Sequence, residues 1–213
     1  MIIIMRIAHV ADIHIQDRRR AEYAAVFDRL YAGLRAVACE VGGLDFIVVA
    51  GDVFDNKMRA SAHNLEDVAA FLSALADIAP VILIAGNHDT NCLTPGALDL
   101  LTPLLADSRA LQAPRLTYWR HSGVYAAHGA VWAVAATDGA VPTAGEVDAA
   151  AAALEAAGAV GPGAFRFCLF HDEVRGAQLG AAPNGVEARG IPREAFAPFD
   201  AAFGGHIHLR QML

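Results

Sequence analysis

The chain reads as an α/β protein, and three observations predict that class. Two short apolar runs that end in glycine and polar residues, FIVVAGD and VILIAGNHD, have the composition of strands buried on both faces. Stretches of helical spacing alternate with them, and the order strand, helix, strand, helix, strand implies right-handed crossovers and a largely parallel first sheet. Apolar residues make up 55% of the 213 and charged residues 18%, which supplies a large core and argues against disorder in any long segment.

Each element follows in order. The opening MIIIMRIAHVADIH predicts a first strand; Arg6, His9 and Asp12 interrupt it, and no charge-free apolar run approaches the ~20 residues needed to cross a bilayer. Tyr23, Val26, Phe27, Leu30, Leu34, Val37 and Val41 then fall at helical spacing, with Gly42 and Gly43 as the stop. After FIVVAGD, a second helix starts near Ser61 or Asn64, carries Leu65, Val68, Leu72 and Leu75 on one face, and ends before Pro80. From Leu116 to Thr137 the pattern changes to short antiparallel β pieces around Gly123 and Gly129. Residues 146–157 are alanine-rich helix by propensity, and FRFCLFHDEV and FDAAFGGHIH are two further strands, each delivering histidine at its carboxyl end. No Ser/Gly-rich or charge-run linker divides the chain, so residues 1–213 read as one domain.

Composition also bounds the setting. Cys39, Cys92 and Cys168 are odd in number, widely spaced and without a CxxC pattern, which predicts reduced thiols buried as small hydrophobes in a cytoplasmic protein with no membrane partner. A formal charge of −7 counts against nucleic acid as a partner. That objection weakens if the carboxylates sit on divalent cations, because the local field then reverses sign.

Five strand ends carry the same kind of cargo: Asp12-x-His14, Gly51-Asp52-x-x-Asp55, Gly86-Asn87-His88-Asp89, His171, and Gly205-His206-x-His208. In open α/β sheets such residues converge beyond the carboxyl ends of the strands. The spacing of two within Asp12/His14 and His206/His208 puts each pair on one face of its strand, so each pair can reach one site. Carboxylate, imidazole and amide together suit Mn, Fe or Zn better than Mg or Ca. Seven ligand candidates exceed what one closed site needs and suffice for two ions sharing a carboxylate. A lone His171 would more often be a hydrogen-bonded core histidine; the company of the other four motifs changes that weighting. His9, His63, His121 and His128 lack such company and receive no role, and Asp172 and Glu173 read as supporting or solvated groups.

In this order and spacing the five motifs resemble the calcineurin-like metallophosphoesterase superfamily, from Asp12 to His208. Within it, GDVFD, GNHD and GGHIHLRQ are similar to the SbcD-like nuclease subunits of DNA repair and recombination, phage recombination endonucleases included. Protein Ser/Thr phosphatases show Asp-Arg-Gly and a glutamate where this chain has Asp55-Asn56-Lys57 and Asp89, so they are set aside. The resemblance implies a four-layer α/β/β/α sandwich and a metal-dependent phosphodiesterase, a DNA exo- or endonuclease, working with two divalent transition-metal ions such as Mn2+. It implies Asp12, His14 and His208 on one ion, Asn87, His171 and His206 on the other, and Asp52 bridging. His88 would be the catalytic residue at the leaving oxygen, with Asp55 orienting it.

Arg18, Arg19 and Arg20 begin the helix behind Asp12-x-His14; they read either as a solvated surface or as contacts to DNA phosphates. Two other readings stand beside the nuclease: a nucleotide or small-molecule phosphodiesterase or phosphatase using the same ions, and a non-catalytic scaffold, against which the intact Asn87-His88 argues. SbcD-like chains continue past the last histidine motif into a DNA-capping region and a segment that binds an SbcC/Rad50-like ATPase. Residues 1–213 are expected to hold neither region, leaving DNA, that ATPase in a longer form, and a homodimer as the expected partners.

Overall fold

In the computed structural model the described residues are 4–90, 97–107, 115–137, 139–179, 186–187, 190–208 and 211–212. They form two compact units, Met1–Tyr118 and Trp119–Leu213. Cys92 lies outside the described residues.

The first unit is built on strands β1 (Ile7–Val10), β2 (Phe46–Ala50), β3 (Val81–Ile84) and β4 (Leu116–Trp119), in the order β1-β2-β3-β4. β2 is buried at every residue and pairs in parallel with β1 and with β3, as a continuously apolar strand should. Its register, Val10 opposite Val49 and Ala50 opposite Ile84, aligns the carboxyl ends of three strands at one edge. Helix α1 (Arg20–Val41) stops where Gly42 takes a left-handed φ of 78°. Helix α2 (Ala62–Ile78) opens on a capping box in which Ser61 accepts from the Asn64 amide while the Asn64 side chain accepts from the Ser61 amide.

Val68, Phe71, Leu72, Leu75 and Ala76 of α2 are buried and join Val49, Leu83 and Ile15 in one core. Each large side chain there contributes roughly 1.5–3 kcal/mol relative to exposure. No residue of α1 is fully buried; Phe27 and Tyr31 reach Phe71 at ring distances of 4.7 and 6.3 Å, whereas Val26 and Val37 are exposed. The apolar face of α1 is therefore narrower than its spacing predicts. A short helix, α3 (Leu101–Asp107), has no counterpart in the sequence reading.

The second unit holds β5 (Gly123–Ala127), β6 (Ala130–Ala135), α4 (Ala144–Ala156), β7 (Arg166–His171), the two-residue strands β8 (Gln178–Leu179) and β9 (Val186–Glu187), and β10 (Ala201–Gly205). Its main sheet runs β10-β7-β6-β5, with β6, β7 and β10 parallel and only β5 antiparallel. Thr143 caps α4 through a capping box with Glu146. The β5–β6 hairpin turns on His128 and Gly129, both at positive φ (51° and 73°), which is what a two-residue primed turn requires.

The α/β class holds, with two sheets of parallel and mixed strands and helices, as a sandwich of this kind requires. Two expectations need correction. The antiparallel expectation from Leu116 to Thr137 holds for β5 and β6 alone, because β4 joins the first sheet. Cys168 is buried, and burial pushes its thiol up to about 12, but Cys39 is exposed on α1.

Candidate metal centre

Beyond the carboxyl ends of β1 in the first unit and β10 in the second the chain does not continue as strand. β1 ends at Val10 and β10 at Gly205, so Asp12, His14, His206 and His208 all lie beyond their strands, and strand alternation is not what orients them. Asp12, His14, Asp52 and His206 instead take φ values of 55°, 51°, 51° and 84°. A non-glycine residue there costs on the order of 1–3 kcal/mol and persists where surrounding structure enforces it. The enforcement is visible around Asp12: its amide donates to Gly51 O (3.1 Å), those of Ile13 and His14 to Asp52 O (2.8 and 3.0 Å), and that of Ile15 to Val53 O (2.9 Å). The Tyr23 hydroxyl donates to the His14 carbonyl from α1.

Asp52 is 1% exposed and uses both carboxylate oxygens. Oδ1 accepts from the His88 amide at 2.7 Å, and Oδ2 lies 3.7 Å from His14 Nε2. The rings of His14 and His88 meet edge to face at 4.7 Å, and ligand atoms of His14, Asp52 and His88 all fall within 4.8 Å of one another.

Three contacts from the loop after β2 hold the turn after β3. The Asp52 carboxylate takes the His88 N–H, and the Asp55 main-chain carbonyl lies 2.6 Å from His88 Nδ1. The Lys57 ammonium donates to Asn87 O at 2.9 Å. The Asn87–His88 peptide is thus gripped at its N–H and its C=O. Asp89 ties the same loops in the other direction: fully buried, it accepts from the amides of Gly86 (2.8 Å), Phe54 (2.8 Å) and Val53 (3.3 Å). Burial holds its carboxyl up at about 6 despite these donors.

Asp55 therefore meets His88, but through its main chain rather than the side chain that the sequence suggested; its carboxylate accepts from Gln16 Nε2 at 3.4 Å. Lys57, Tyr23 and Asp89 were assigned no site role from sequence. Asp89 alone carried a signal, as the acidic residue closing GNHD; main-chain contacts such as that of Lys57 leave no residue pattern to read.

In the second unit, His171 is the last residue of β7 and is buried. Gly205 pairs with it across β10, which brings His206 alongside, the two rings 5.4 Å apart. His208 follows two residues later and is exposed.

The donor set fits a metal. In the first unit Asp12, His14, Asp52 and Asn87 follow the carboxyl ends of β1, β2 and β3, in the second His171, His206 and His208 lie at those of β7 and β10, and four of these seven expected ligands have left-handed backbone. The arginines are partly committed elsewhere. Arg20 makes two 2.7 Å bonds to Asp67, Arg19 bonds Glu22 at 2.8 Å, and Arg18 bonds the Gln16 side chain.

Fold and site together define a metal-dependent phosphoesterase. The model of the calcineurin-like phosphoesterases matches residues 5–210, and the chain belongs to that family, whose members are hydrolases that use divalent metal ions. It is 38% identical over 130 residues to the uncharacterized protein R555 of Acanthamoeba polyphaga mimivirus, a match covering 60% of this chain and 9% of that protein. It is 28% identical over 102 residues to the DNA double-strand break repair protein Mre11 of Archaeoglobus fulgidus, covering 47% of this chain and 23% of the relative. The chain thus matches less than a quarter of the length of either. Among the described residues no helix is long and apolar enough to cross a membrane.

Proposed function

We propose that this chain hydrolyses the phosphodiester bonds of DNA, as a nuclease of recombination or double-strand-break repair. The observation that carries the reading is the grip on Asn87-His88 by Asp52, Asp55 and Lys57, which presents an imidazole beside a strained aspartate–histidine pair. The similarity to an Mre11 repair protein favours DNA among phosphodiester substrates.

In this reading Asp12, His14 and His208 would hold one divalent transition ion, Asn87, His171 and His206 would hold a second, and Asp52 would serve both. When bound, such a pair supplies an activated water and neutralises charge on the phosphate. The protein's part is positional. A carbonyl can only accept, so the Asp55 main chain keeps the proton of His88 on Nδ1 and leaves Nε2 to give or take a proton at the leaving oxygen. Asp89 and Lys57 fix the turn from which that imidazole projects.

The test is incubation of the purified protein with Mn2+ and labelled single- and double-stranded DNA, with a metal-free control and bis(p-nitrophenyl) phosphate in parallel. Metal-dependent DNA cleavage that is lost in Asp52→Asn supports the reading. Hydrolysis of the small diester with intact DNA would move the substrate to nucleotides or other small phosphodiesters.

A further inference from the structure

Beside His171 the second unit has a cavity of about 320 Å³ that no step above uses. Ala136, Ala140 and Val141 line it after β6, Pro192 and Ala195 line it before β10, and His171 and Asp172 line it at the end of β7. The stretches after β6 and before β10 are tied down. The Ala136 amide donates to Ser122 Oγ at 3.0 Å and Gly139 closes the turn onto Ala136 O at 3.1 Å. Before β10, Ile191 N donates to Glu173 O (2.7 Å) and Arg175 N to Ile191 O (2.8 Å).

Its chemistry selects the occupant. The wall side chains are mostly small and apolar, but polar atoms make up as much of the lining surface, so the space suits a flat uncharged group that also hydrogen-bonds, and the volume lies at the lower end of the ~300–1,000 Å³ typical of small-molecule sites. Among the described lining residues the ionisable groups are His171 and the exposed carboxylate of Asp172, whose Oδ1 accepts from the Glu173 amide at 2.7 Å. A carboxylate at the mouth repels a phosphate backbone but accepts from the amino edge of a base, as acidic side chains accept from cytosine N4. We infer that this cavity receives one unstacked nucleoside of the strand being cut, next to the scissile phosphate, with Asp172 reading its amino group. The inference rests on the nuclease reading and sharpens it. A base that enters the cavity has left its stack, so single-stranded or frayed DNA is the substrate.

Neutral 2′-deoxynucleosides carry no phosphate, so they probe the cavity in metal-free protein. Saturation-transfer NMR should show deoxycytidine and deoxyadenosine binding more tightly than thymidine. Ala140→Leu and Ala195→Leu, which fill the space, should abolish that signal with the thermal midpoint retained. In Mn2+-loaded protein the same variants should raise KM for single-stranded DNA roughly tenfold, the equivalent of about 1.4 kcal/mol, with bis(p-nitrophenyl) phosphate turnover unchanged. Asp172→Asn should flatten the preference for amino-bearing bases. No nucleoside binding, together with filled variants that cut DNA like the parent, overturns the inference. Nucleoside binding without hydrolysis of any phosphodiester leaves the cavity assignment standing and overturns the nuclease reading instead.

Discussion

His88 Nδ1 lies 2.6 Å from the main-chain carbonyl of Asp55, while the Asp55 carboxylate turns away toward Gln16. The contact that orients the proposed catalytic ring therefore survives any substitution that keeps the local backbone. Asp55→Asn should retain DNA cleavage within about twofold, whereas His88→Ala should lose ~10²–10⁴-fold in kcat with both ions still bound. Calorimetric Mn2+ titration beside single-turnover cleavage checks this. Metal loss in His88→Ala would make the ring a ligand, a role its closeness to His14 and Asp52 also allows.

Lys57 should act on the same ring from the other side of the peptide. Its ammonium holds Asn87 O while Asp52 holds the next N–H, so removing the cation frees one end of the Asn87–His88 peptide. A misplaced catalytic group costs rate more than affinity. Lys57→Met should lower kcat by about tenfold with KM little changed, and Lys57→Arg should restore most of it. A rise in KM alone would mean that Lys57 binds substrate.

Backbone strain at Asp12 predicts a stability difference that contact counting would miss. Its φ of 55° suits glycine and penalises alanine. Asp12→Gly should be more stable than Asp12→Ala by roughly 1 kcal/mol in metal-free denaturant unfolding, although both lose Mn2+ affinity. Equal stabilities would mean that the loop relaxes out of the left-handed region once the carboxylate is gone.

The residues of the candidate site were legible in the sequence; the contacts that hold them were not. Ser61, Gly42 and the buried run Phe46–Ala50 acted as their local chemistry requires, because caps, stops and doubly buried strands are decided within a few residues. Asp12, His14 and His206 were legible as donors but not as left-handed residues, since the hydrogen bonds that enforce Asp12 and His14 come from Gly51 and Asp52, some forty positions away. β4 was misplaced for a related reason: a strand of four residues carries its face pattern but not the identity of its neighbour, which long-range pairing decides. Lys57 and the Asp55 carbonyl act on or through the main chain and so left no motif.

Asp89 makes the fourth prediction, and its sign can be worked out. The carboxyl is fully buried among three amide donors, with an unperturbed value of 3.8 and a folded value of about 6. Burial raises it by disfavouring the charge, and the neighbouring Asp52 carboxylate adds to the rise. A group whose folded pKa is raised contributes stability fully below its unfolded value and loses it as pH climbs through the folded one. In metal-free protein the thermal midpoint of the wild type, relative to Asp89→Asn, should therefore be higher at pH 4.5 than at pH 7.5. Asp89→Ala should be destabilised at both, by roughly 2–5 kcal/mol, because Gly86, Val53 and Phe54 lose their acceptor. A wild-type advantage that grows toward pH 7.5 would show instead that the amides hold Asp89 ionised, and that its charge is part of what fixes the two loops.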